Sequence, residues 1–186
     1  MKIFIKIFFL AIVVFIAGCR GEQGPPGAPG EDGLDGDLFL PQVFEIEGDF
    51  TAENEFSLFF EFPSSIEVFE SDIVLAYILW DVVESQDGED LDLWRLLPQT
   101  VALNEGVFMY NYDHTFVDVS IFMEGTVDLA TLPEGDLANQ VFRIVVLPAD
   151  FNVKNNLRDI EDFNLMMKSI GIDPKSVKPE ISLKIN

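Results

Sequence analysis

The sequence predicts a mainly β protein: an antiparallel β-sandwich or barrel-like domain with one C-terminal helix, preceded by a signal peptide and a short collagen-like extended stalk. Three observations carry this prediction. After Leu38, short apolar or alternating runs follow one another with turn residues between them, the pattern of antiparallel sandwiches and barrels. No helical pattern separates these runs, which disfavours a parallel sheet. A single helical pattern stands near the C-terminus, and before the strands Gly recurs at every third position.

Residues 1–18 read as a secretory signal, because Lys2 and Lys6 precede an apolar run from Ile7 to Ile16 that ends in Ala17-Gly18. A spanning helix needs ~20 apolar residues. Lys6 and Arg20 leave fewer, so the segment is expected to be removed. Ile16-Ala17-Gly18-Cys19 resembles the lipobox of bacterial lipoproteins, which implies that Cys19 is lipid-modified and becomes the first residue. Cys19 is the single cysteine of the chain, so its modification leaves no thiol for a disulfide. Acyl chains bury at ~0.8 kcal/mol per methylene, and several of them would anchor the chain stably. Arg20 stands where an aspartate would resemble an inner-membrane retention signal, which favours the outer membrane.

Residues 19–37 hold the lipidated cysteine and the stalk. Gly21, Gly24, Gly27, Gly30, Gly33 and Gly36 open six unbroken Gly-X-Y triplets. This is a collagen signature, since only Gly fits where three polyproline-II chains meet. Extended at ~3.1 Å per residue, the stretch reaches roughly 55 Å. Its last triplets carry Glu31, Asp32, Asp35 and Asp37 with no Lys or Arg, and alignment of three copies would stack like charges. A monomer with a flexible spacer is therefore expected, with a homotrimer as the alternative.

Residues 38–172 form the β-rich domain. Its expected strands are 43–47, 56–62, 66–70, 73–80, 93–97, 100–104, 107–112, 116–124 and 141–147. VFEIE, IEVFE and FVDVSIF alternate as half-buried strands do, whereas IVLAYILW is apolar on both faces and reads as central. Asn104-Glu105-Gly106 suits a hairpin, and Asp87-Gly88 and Pro133-Glu134-Gly135-Asp136 supply other breaks. A helix is expected near 159–170, with Ile160, Phe163, Met166, Met167 and Ile170 on one face packed against the sheet. Asp159 would cap its start and Gly171 its end. Residues 173–186 are a tail, either disordered or adding ISLKI as an edge strand.

The lipobox, the triplets, and a domain containing FEFPSSIEVFESDIVLAYILW, LLPQT, YNYDHTFVDV and NQVFRIVVLPADF together resemble the collagen-like lipoproteins of Bacteroidetes-type bacteria. The resemblance covers almost the whole chain. It implies an exported, lipid-anchored protein of the cell envelope and no reaction.

Charge narrows the partners. The chain carries a net charge of −22, and between Leu38 and Asp150 there are 23 acidic residues against Arg95 and Arg143. Such a surface repels nucleic acid, leaving the membrane through its lipid anchor and a glycan or protein ligand as the expected partners. No enzyme is expected. His114 is the single histidine, which excludes zinc sites built from several His and Cys, and neither a GxSxG elbow nor a P-loop is present. No cofactor is expected, with one alternative: Asp87, Glu89, Asp90 and Asp92 supply the hard oxygens that calcium takes, although their spacing departs from the EF-hand loop and also suits a solvated hairpin tip. Trp80, Trp94, Tyr110 and Tyr112 are likewise either an aromatic sugar platform or core.

Overall fold

A computed structural model describes residues 41–149, 160–169, 171–176 and 182–185, all within one compact unit spanning Asp35–Asn186. The signal segment, Cys19 and the six triplets lie outside the described residues, as does Asp159, the expected helix cap.

Nine strands make two sheets: β1 (Gln42–Gly48), β2 (Ser57–Glu61), β3 (Ile73–Glu84), β4 (Asp90–Leu96), β5 (Gln99–Leu103), β6 (Gly106–His114), β7 (Asp118–Gly125), β8 (Gln140–Leu147) and β9 (Ser182–Ile185). The larger sheet runs β4-β3-β8-β1-β9 and the smaller β2-β7-β6-β5. Among the described residues both sheets have free edges, the arrangement of a sandwich and not of a closed barrel. Among the described residues two α-helices join them, α1 (Glu134–Leu137) and α2 (Phe163–Ser169).

Alternation in the strands builds the inner core. Phe44 and Ile46 of β1, Phe142 and Ile144 of β8, and Ala76 and Ile78 of β3 face Leu58 and Phe60 of β2, Phe108 of β6 and Ile121 of β7, all buried in one cluster. Rings bridge the two sheets, with Phe44 and Phe60 centred 5.3 Å apart. Each such side chain contributes roughly 1.5–3 kcal/mol on burial, so truncating Phe44 to alanine costs about 3–5 kcal/mol.

The strand apolar on both faces is central, as its composition predicts. β3 pairs with β4 on one side and β8 on the other, sending Val74, Ala76 and Ile78 inward and Leu75 and Tyr77 to the opposite face. There they meet Val43, Trp94, Val145 and the α2 residues Phe163, Met166 and Met167 in a second buried cluster. A helix laid on the outer face explains why β3 and β8 lack the polar alternation of a solvated sheet.

Several elements differ from the sequence expectation. IEVFE at 66–70 is not a strand: Ile66 N–H bonds the Pro63 carbonyl, and Phe69 and Asp72 tie into a turn through Asp72 N–H to Phe69 O (3.0 Å) and Phe69 N–H to Asp72 Oδ2 (3.0 Å). Its alternation instead buries Val68 and exposes Phe69. The PEGD break contains the one-turn helix α1. Helix α2 begins at Phe163, not 159, because Asp162 Oδ1 accepts from Leu165 N–H at 2.9 Å. Ile160 accordingly lies outside the helix and is exposed. Gly171 ends the helix as expected, at φ +80°, with Gly171 N–H bonding Lys168 O and Ile172 N–H bonding Met167 O, a Schellman arrangement. The tail adds β9, which pairs parallel to β1 from Glu45↔Ser182 to Gly48↔Ile185.

Candidate functional site

The outer face of the large sheet is covered by α2 over part of its width, and a cavity opens beside that cover. Its volume is about 530 Å³; Asp90, Asp92 and Trp94 of β4 and Arg143 of β8 line it on the sheet side. Asn164 and Lys168 of α2 and the turn Asp173–Lys175 line it on the other.

Arg143 organises this face. It sits in the cross-strand row Glu45↔Arg143↔Tyr77, an isolated cation in the otherwise apolar VFRIVVL. Its Nε donates to Glu45 Oε2 at 3.1 Å and its second terminal nitrogen lies 3.9 Å from Asp92. The guanidinium stacks 4.1 Å above the Trp94 ring and 5.0 Å from the Phe163 ring centre. A planar, weakly hydrated cation suits such a half-buried aromatic setting better than an ammonium. Trp94 is buried, and among the described residues its indole N–H has no hydrogen-bond partner.

Pairing within the site is incomplete. Lys175 Nζ donates to Glu89 Oε2 at 2.8 Å, which lowers the Glu89 carboxyl below its usual value and raises the Lys175 ammonium above its own. Lys168 and Asp90 have no such bond: among the described residues neither side chain has an ion-pair or hydrogen-bond partner. Arg143, Lys168 and Lys175 gather three cations on a chain whose net charge is −22.

The acidic group expected to sit together at a loop tip is divided. Ser85–Glu89 form the hairpin loop, with Gly88 at φ +79° and Gly88 N–H bonding Ser85 O, so Asp87 and Glu89 belong to the turn. Asp90 and Asp92 belong to strand β4. Glu89 faces Lys175 and Asp92 faces Arg143. Among the described residues, no three His, Cys, Asp or Glu side chains are placed to hold one metal ion.

The four aromatics do not converge either. Trp94 packs under α2, whereas Trp80, Tyr110 and Tyr112 belong to the inner cluster. Tyr110 Oη donates to Asp136 O at 2.7 Å and Tyr112 Oη to Val74 O at 3.2 Å. Arg95 stacks on Trp80 at 4.1 Å. His114 ends β6, exposed, with its ring stacked on Tyr112. The cavity itself was not anticipated from the sequence. Its one legible signal was Arg143, a charge inside a strand otherwise built for burial on both faces.

No helix among the described residues is long and apolar enough to cross a membrane. No family model, curated protein or solved structure matches the chain.

Proposed function

We propose that this chain is a non-enzymatic, lipid-anchored lipoprotein of the cell envelope that presents its β-sandwich head on a short Gly-X-Y spacer, for an interaction role at the outer membrane. The observation that carries the reading is the order of segments: Ala17-Gly18-Cys19, then six triplets, then a sandwich whose first strand starts at Gln42. Each segment does one physical job. Acyl chains on Cys19 would hold the chain at the bilayer, the spacer would lift the head by up to roughly 55 Å, and the acidic surface would keep the head soluble and away from anionic headgroups.

Metabolic labelling with palmitate tests the anchor. The wild-type chain should incorporate label and fractionate with the outer membrane, and Cys19→Ser should lose the label and accumulate as an unprocessed precursor. A wild-type chain that takes up no label would overturn the proposal.

A further inference from the structure

We infer that the cavity between β4 and α2 binds a small zwitterion, a free amino acid or short peptide with both ends unblocked. Two unpaired groups of opposite sign line it from different elements: Asp90 on β4 and Lys168 on α2. Their neighbours repeat the division, with Asp92 beside Asp90 on the strand and Asn164 one turn before Lys168 on the helix. An ammonium group would sit against the aspartates, and a carboxylate against Lys168 and the Asn164 amide. Arg143 stays fixed by Glu45 and the two rings and keeps the floor rigid. The volume of about 530 Å³ falls within the ~300–1,000 Å³ of small-molecule sites.

The charge of the whole chain selects this ligand class. With a net charge of −22 the chain repels free anions and attracts cations without discrimination. A zwitterion carries no net charge, so it escapes that field and is read where both signs line one cavity. Breaking one charge-assisted hydrogen bond costs ~1.5–3 kcal/mol, so blocking either end of the ligand should weaken binding about tenfold or more.

The inference names what the presented head would capture, and it stands or falls apart from lipidation, which the palmitate experiment reads by itself. Trp94 supplies the reporter, since it lines the cavity and its indole N–H has no acceptor among the described residues. The full chain in detergent micelles, with ¹⁵N-labelled indoles assigned by Trp80→Phe, is titrated with trialanine, N-acetyl-trialanine, trialanine amide and alanine. Trialanine should shift the Trp94 resonance saturably in the millimolar range or below, and each blocked form should bind about tenfold more weakly. Alanine binding as well as trialanine would identify a free amino acid as the ligand; weaker binding would identify a peptide. Lys168→Gln should weaken trialanine but leave its amide unchanged, and Asp90→Asn should weaken trialanine but leave the N-acetyl form unchanged. Both residues are exposed, so the variants should keep the wild-type spectrum without ligand. No saturable shift at millimolar trialanine, equal binding of blocked and free forms, or indifference to both substitutions would each overturn the inference.

Discussion

The Tyr77 hydroxyl donates to the Ile160 carbonyl at 2.6 Å, joining the central strand β3 to the residues that lead into α2. The ring packs edge-on against Phe163 with centroids 5.5 Å apart, so one side chain both seats the helix and satisfies the backbone before it. Tyr77→Phe keeps the ring and removes the bond. Denaturant unfolding should show a loss of about 0.5–1.5 kcal/mol, with faster amide exchange in α2 and little change in the inner strands. An unchanged midpoint would show that water replaces the bond at no cost.

Tyr77, Tyr110 and Tyr112 are all the tyrosines of the chain, and burial raises each phenol above its usual value near 10. A raised folded-state value means that the unfolded chain releases these protons first, so the stabilisation is complete below pH about 10 and falls as pH rises beyond it. Absorbance at alkaline pH should therefore show no tyrosinate while the fold persists, and all three phenols should ionise together with unfolding. A phenol that ionises near its ordinary value in the folded protein would contradict its burial.

The acidic side chains of the β3–β4 turn and the start of β4 should be dispensable for folding. Replacing Asp87, Glu89, Asp90 and Asp92 with Asn or Gln removes exposed charge, the exposed Lys175–Glu89 pair and the long 3.9 Å contact of Asp92 with Arg143, whose guanidinium keeps Glu45; such pairs contribute little. The melting temperature should move little, and added calcium should not raise it. A calcium-dependent rise abolished by these substitutions would instead place a metal here, because a ligand that binds the native state alone stabilises it.

Two glycines should respond in opposite ways to alanine. A Cβ at Gly125 would meet the Val107 carbonyl oxygen, and Phe108 Cα at 2.8 Å, both backbone atoms of the neighbouring strand. Gly125→Ala should lose about 1–3 kcal/mol. Gly135 lies inside α1 with nothing within 4 Å of its added Cβ, so Gly135→Ala should be neutral or stabilising by about 0.4–1 kcal/mol. Paired denaturation curves decide both.

The strands were legible wherever burial alone determined the pattern. IVLAYILW reads as central because both of its faces need apolar cover, and the sandwich and α2 supply that cover. Alternation misled at IEVFE, since the same period arises when a turn-bound segment tucks Val68 into the inner core and leaves Phe69 outside. The helix start was read one turn early because Asp159 and Asp162 are equally good caps in sequence, and only the backbone path chooses Asp162. Arg143 marks the cavity's floor in the sequence, but its walls are not legible: Asp90 and Lys168 come to line it through the docking of α2 on β4, a tertiary event with no local signature.

The C-terminal strand decides where the folding unit ends. The sequence leaves residues 173–186 as a tail, either disordered or adding ISLKI as an edge strand, and β9 pairs with β1 over four residues. Lys184 Nζ donates to Glu47 Oε1 at 2.9 Å and to Asn139 Oδ1 at 3.1 Å, and Ile185 packs on the inner core. Removing residues 173–186 would turn β1 into an edge strand, with Phe44 and Ile46 on its inner face. Unpaired N–H and C=O groups on such an edge recruit other strands, and the loss also takes away Lys184, a charge of the kind that guards an edge. The chain ending at 172 should therefore unfold at lower denaturant than the full chain and scatter light on concentration, with scattering suppressed by restoring 173–186. Equal stability and monodispersity would show that β9 pairs without stabilising, and that the sandwich is complete at β8 and α2.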